Sequence, residues 1–301
     1  MPKMITPAME KLQMQQSKRP RKTGPWHEAW YRMRRNKTAM VGLVIVMILL
    51  ILAFFPEYIA PYGEDEQVYE DAFIFPNLEH PMGTDNYGRD ILSRVIYGTR
   101  TSLLIGTMSV GLSVLIGGSC GLTAAYYGGK IDNLIMRIMD IFYALPSLLL
   151  AISIASALGA GLFNLALAIA ISEVPGYARV VRASALTVRN QEYMEAIRAL
   201  GGSPMRQMLL HTLPNAIAPI IVQATLGMAS AILSGAALSF LGIGVQPPTA
   251  EWGFMLNSGR QYIRDYWYIV TFPGLMIMIT IFGLNLLGDG LRDAMDPKLK
   301  R

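Results

Sequence analysis

The chain has 301 residues, of which 52% are hydrophobic and 16% charged, with a formal net charge of +5. Together with a positive mean hydropathy, that balance excludes an ordinary soluble domain and points to a membrane protein. One cysteine, Cys120, and three scattered histidines, His27, His80 and His211, supply neither a disulfide framework nor the CxxC or HExxH spacing of a zinc site.

Residues 1–38 hold ten Lys or Arg against two Glu, whereas 57–100 hold nine Asp or Glu against three Arg. The positive-inside rule therefore places the amino terminus in the cytoplasm. Lys18, Arg19, Arg21 and Lys22, then Arg32, Arg34, Arg35 and Lys37, lead straight into an apolar run. They read as a topology signal or a contact with anionic lipid, not as a nucleic-acid patch. A spanning helix needs about 20 mostly apolar residues, and six stretches are expected to span: 39–55, 101–125, 138–159, 162–181, 216–245 and 267–288. The first is no cleavable signal, because a long polar segment precedes it. Six crossings return the carboxyl terminus to the cytoplasm, as the five Arg against two Glu of 179–212 also require.

In the outer loop, Ile91, Leu92, Val95 and Ile96 share one helical face and Arg89, Asp90, Ser93 and Arg94 the other, which predicts a short helix lying at the membrane interface. No nucleophile and base stand at a recognisable spacing, so an embedded hydrolase is disfavoured. Ser109, Ser113, Gly117, Gly121 and Ala125 recur every fourth residue, as do Gly227, Ala231, Gly235 and Ser239; such ladders let helix backbones approach closely. Pro146, Pro175 and Pro273 are expected to kink spans. Asp140 follows Arg137 by one turn and Glu173 precedes Arg179, all near cytoplasmic ends, so structural pairing is expected in place of a proton or ion relay. Gln223, Thr225 and Asn285 are polar candidates for a pathway, although helix packing explains them equally.

The stretch EYMEAIRALGGSPMRQMLLHTLPN, 192–215, reads as two short cytoplasmic helices. Tyr193, Ala196, Ile197 and Leu200 form an apolar face opposite Glu192, Glu195 and Arg198. Gly201 and Gly202 supply a left-handed cap, Ser203 and Pro204 open the second helix, Met205, Met208, Leu209 and Thr212 form its stripe, and Leu213, Pro214 and Asn215 break it. These stripes need burial against the protein's own spans, the membrane surface or a partner's groove.

The segment 195–214 resembles the EAA loop of binding-protein-dependent ABC import permeases: Glu, Ala, Ala, three residues, Gly, nine residues, an aliphatic, one residue, Leu, Pro. Glu195, Ala196, Gly201, Leu213 and Pro214 match, Ile197 replaces the second Ala, and His211 stands where an aliphatic is usual. GTDNYGRDILSRVIYGTRTSL, DNLIMRIMDIFYALPSLLL, SFLGIGVQPPTAEWGFML and NLLGDGLRDAMDPK resemble blocks of the C-type subunit of the dipeptide, oligopeptide and nickel group, and WHEAWYRMRRNK is similar to glutathione and dipeptide importer subunits.

That resemblance implies an all-α, six-helix type I importer (MetI-like) permease in the bacterial cytoplasmic membrane, carrying di- or oligopeptides, glutathione among them, or else nickel or another small solute. It implies a cytoplasmic tail at 1–38, a first helix at 39–56, an extracytoplasmic loop at 57–100 and a five-helix core at 101–288, with the coupling loop at 182–215 and a tail at 289–301. The implied partners are a second permease subunit, two ATPases that use ATP and Mg, and an external peptide-binding protein, with no cofactor on this chain. Glu192, Tyr193, Glu195, Ala196, Ile197, Ala199, Leu200, Gly201, Gly202, Leu213 and Pro214 are implied to contact the ATPase. No GxxxxGK[ST] motif occurs; Gly117–Gly118 and Gly201–Gly202 lack the lysine and strand context that phosphate binding needs. The rival class, an ion-coupled secondary transporter, would place carboxylates at unwound mid-span helices.

Overall fold

The computed structural model describes residues 25–295, which form helices and loops; the sole β feature among them is one isolated bridge between Thr84 and Asp90. The basic cluster at Lys18–Lys22 and the end of the last sequence block lie outside the described residues. Helix α1 (Pro25–Arg35) and α2 (Lys37–Phe54) are separated by Asn36, whose Oδ1 accepts from the Thr38 and Ala39 amides at 3.1 and 3.3 Å and so caps α2. A one-turn α3 (Pro56–Ile59) follows. Helix α4 (Ile91–Tyr127) is capped by Asp90, which accepts from the Ser93 amide at 2.7 Å, and ends at Gly128 with φ +65.

Helices α5 (Gly129–Tyr143) and α6 (Ser147–Leu158) meet at an 85° bend. The expected third span is therefore broken: the residue before Pro146 is driven out of the helical region, so α5 ends before it and α6 starts after it. Helix α7 (Leu162–Arg189) leads to α8 (Glu192–Ala199), and α9 runs unbroken over Pro204–Phe240. Helices α10 (Trp252–Gly259) and α11 (Tyr268–Met295) complete the chain.

Among the described residues, α2, α4, α9 and α11 are long and apolar enough to cross a membrane, and α5 with α6 makes a fifth if the bent pair is one span. Six were expected. The difference lies in α7, where Glu173, Arg179 and Arg182 dilute the apolar run. The expected fifth span also ends earlier, at Phe240, where Gly242 with φ +83 turns the chain away. No separate interfacial helix exists at 91–100. Its residues open α4, and Ser93, Arg94 and Val95 are all buried, because the 61–90 and 250–252 loops cover the face expected to be polar and exposed.

The α4–α7 pair is the most extensive helix contact, and its close approach is written in the small-residue ladder. A Cβ at Gly117 would stand 2.5 Å from the Val174 carbonyl oxygen, and one at Gly121 would overlap the Ala178 carbonyl. Ser113 donates to the carbonyls of Ser109 and, across the interface, Ala170 at 2.8 and 3.0 Å. Helix α9 packs on both partners: Gly235 faces Ile105 of α4, and the Tyr177 hydroxyl of α7 donates to the Gln223 carbonyl at 3.4 Å. Helices α11 and α2 pack on the outside, with Gly42 and Gly283 at their crossing.

Candidate functional site

Helix α8 and the first turns of α9 form one end of the molecule. Met194 of α8 is fully buried, while Tyr193 is 40% and Leu200 88% exposed. Glu192, Glu195, Ala196 and Ala199 are exposed as well. The helix is thus held from behind by Met194 and by contact with the following turns, and most of the stripe predicted to be apolar faces outward. Ile197 alone of that stripe turns inward. A Cβ on Gly202 would stand 2.8 Å from its Cγ2, and Gly201, at φ +77, makes the left-handed exit from α8.

Ser203 caps α9, its hydroxyl accepting from the Arg206 amide at 3.4 Å. The predicted break at Leu213–Asn215 does not occur. A π-helical stretch, Gln207–Thr212, precedes Pro214, and its wider turn accommodates a residue with no amide hydrogen, so the helix continues. The second predicted stripe divides: Met208 and Thr212 are buried, whereas Met205 is 63% and Leu209 48% exposed. The Gln207 side chain is also buried, and its Nε2 donates to the Gly202 carbonyl at 2.6 Å, closing the loop between the two helices.

Charges lock this end to the body. Arg182 of α7 makes two bonds to Asp132 of α5, each 2.6 Å, and Arg179 reaches Asp140 at 2.7 Å. Arg189 donates to the Ala125 carbonyl at the end of α4 at 2.7 Å. Structural pairing was expected for Arg137, Asp140, Glu173 and Arg179; it is found for Asp140 with Arg179, between α5 and α7, which pack on each other. Glu173 is half-buried beside Ser147. Thr225 is satisfied within its own helix by the Ile221 carbonyl at 2.9 Å, and Asn285 is exposed.

The other end of α4, about 55 Å away at 1.5 Å per residue, carries a lobe built from 57–90 and 242–267. His80 is buried: its Nδ1 is 3.0 Å from Asp90 Oδ1, and its ring stacks on Tyr62. Arg94 is buried and donates to the Glu64 carbonyl at 2.8 Å. Glu64 in turn accepts from the Ala250 amide at 2.5 Å. Glu251 caps α10 by accepting from the Gly253 and Phe254 amides at 2.9 and 2.8 Å, and burial raises its carboxyl pKa against the pull of those bonds. Trp252, fully buried, donates to the Val95 carbonyl at 3.1 Å across the groove that Gly98 leaves open. Arg100 holds the end of α2, donating to the Ala53 carbonyl at 2.8 Å and to Glu57 at 2.8 Å; that bond lowers the Glu57 pKa. Sequence reasoning missed Met194, Glu251 and Trp252 because each is an isolated residue whose burial depends on distant segments.

Comparison with known proteins decides the family. Residues 113–301 match the model of the binding-protein-dependent transport system inner membrane component family, and 24–81 match the N-terminal TM domain of oligopeptide transport permease C. The chain belongs to this permease family. It is a multi-pass component of a binding-protein-dependent transport system. The permease is 48% identical over 283 residues to the di/tripeptide transport system permease protein DppC of Pseudomonas aeruginosa (strain UCBPP-PA14), covering 92% of this chain and 93% of that one. It is 49% identical over 284 residues to the dipeptide transport system permease protein DppC of Escherichia coli (strain K12), covering 92% and 94%. A glutathione transport system permease protein, GsiD of Escherichia coli O6:K15:H31 (strain 536 / UPEC), is 44% identical over 277 residues, covering 92% and 91%. In fold, the permease is similar to a chain of the inward-facing MetNI methionine ABC transporter, with a TM-score of 0.54 at 20% identity, covering 67% of this chain and 97% of that one.

Proposed function

We propose that this permease is a pore-forming subunit of an ATP-binding-cassette importer of dipeptides and oligopeptides, and that α8 is its coupling helix. The observation that carries the coupling role is the outward stripe of Tyr193, Ala196 and Leu200, on a helix fixed from behind by Met194. An exposed apolar face on a short, rigidly mounted helix fits a partner's groove. The peptide assignment rests on the di/tripeptide, dipeptide and glutathione permeases to which the chain is similar.

In this reading the permease performs no chemistry; partner ATPases hydrolyse ATP, a second permease completes the pore, and an extracytoplasmic binding protein delivers the peptide. A push on α8 enters the body by two routes: through Asn190 and Gln191 to α7, and through the turn at 200–203 to α9. Both helices pack on α4, so the push moves a three-helix body. We count α7 as the sixth crossing, since α4, α6 and α9 pack along it and its Arg179 and Arg182 are paired with Asp140 and Asp132 of α5. Both ends of the chain then face the cytoplasm, in keeping with the basic tail.

The test is transport in proteoliposomes holding the complete complex. Glu195→Lys, and Gly201→Trp, which forces a bulky residue into a left-handed position, are each expected to cut uptake by about tenfold while ATP hydrolysis continues. Normal coupled uptake in both variants overturns the role of α8. Uptake that follows an ion gradient without the ATPases overturns the importer reading itself.

A further inference from the structure

The 57–90 part of the outer lobe carries more exposed carboxylate than its own arginines offset, while Arg260 and Arg264 are exposed on the 242–267 part. Asp65, Glu66, Glu70 and Glu79 are exposed, and among them the 3-10 turn Tyr69–Asp71 holds Tyr69 69% exposed, next to Val68 at 42%. The arginines of 57–100 are engaged elsewhere. Arg94 is buried on the Glu64 carbonyl, and Arg100 is paired with Glu57. Arg89 is buried against Asp85 at 2.7 Å and reaches Asp65 only at 3.7 Å. The carboxylates also converge inward: Glu66, Asp71, Glu79 and Asp90 line one small cleft with Tyr62. Burial, reinforced by those four charges, raises the Tyr62 phenol above its ordinary pKa.

Such a ridge does not suit a membrane surface, because anionic headgroups are repelled by it. Exposed aromatic and aliphatic anchors inside a charged rim are instead the composition of a protein interface, in which the rim charges steer encounter. We propose that the ridge Asp65–Asp71, with Glu79, receives the extracytoplasmic binding protein through a basic face of that protein, with Val68 and Tyr69 as the apolar anchors. This rests on the importer reading and on the outward placement of 57–100.

The experiment measures association of the cognate binding protein with the complete complex in nanodiscs, by biolayer interferometry at low and moderate salt. The wild-type association rate is expected to fall as salt rises. In the triple variant Asp65→Lys, Glu66→Lys, Glu70→Lys it is expected to fall about tenfold, with the salt dependence abolished and the dissociation rate little changed. ATP hydrolysis in the absence of binding protein is expected to stay at the wild-type rate. Unchanged association in the triple variant, with import intact, overturns the docking surface and leaves the importer reading standing. A wild-type complex that captures no binding protein and imports no peptide overturns both. If the triple variant fails to assemble, Glu70→Lys alone and the wild-type salt series decide: a flat salt series overturns the proposal, and a weaker association of Glu70→Lys with a reduced salt slope supports it.

Discussion

Met194 has no exposed surface, although its neighbours Tyr193 and Glu195 both face solvent. Truncating a buried methionine to alanine costs about 2–5 kcal/mol, and here the loss falls on the attachment of an eight-residue helix and not on the whole fold. Met194→Ala is therefore expected to leave the amount of permease in the membrane nearly unchanged while increasing protease cleavage after Arg198 and lowering peptide transported per ATP hydrolysed; Met194→Leu restores both. Periodicity alone did not identify this anchor. Tyr193, Ala196 and Leu200 lie on one side of α8, and Met194 and Ile197 on the other, so apolar residues occupy both sides. Which side meets the body depends on packing against the following segment Gln207–Thr212, which α8 contacts and which no periodicity within α8 specifies. The capping residues were more legible: Ser203 and Gly201 act through local backbone geometry, which a few consecutive residues determine.

Two prolines show how the same side chain produces opposite results at the level of the element. Pro146 separates α5 from α6, whereas Pro214 lies within α9, where the preceding π stretch accepts it. The small-residue ladder of α4 is the element whose role was most legible, because a small side chain at every fourth position exposes backbone along one face whatever the partner is. Its partner, α7, was not legible, since a ladder specifies closeness and not identity. Gly121→Leu is expected to force α4 and α7 apart and to lower the melting temperature of the detergent-solubilised complex by several degrees or prevent assembly; Gly111→Ala, at a position with nothing within 4 Å, is expected to melt as the wild type does. Equal melting of the two variants would show that the α4–α7 contact does not hold the body together.

At the scale of the whole molecule, the proposed orientation places Tyr69 and Leu200, 69% and 88% exposed, on opposite sides of the membrane. With Cys120 replaced by alanine, Tyr69→Cys is expected to react with a membrane-impermeant maleimide in spheroplasts, and Leu200→Cys only in inverted vesicles. Labelling of both from one side overturns the arrangement. The sequence by itself determined the membrane class, most of the long apolar helices, the basic end and the acidic 57–100 loop, and the charged two-helix interruption, because each follows from composition or from spacing within a few turns. The tertiary structure decided the rest: the division of the third expected span, the pairing of Arg179 with Asp140 and Arg182 with Asp132, the burial of the polar start of α4, and the outward direction of the α8 stripe. Those are properties of residues distant in sequence and brought together by packing, and no local pattern encodes which face of a helix its neighbours will cover.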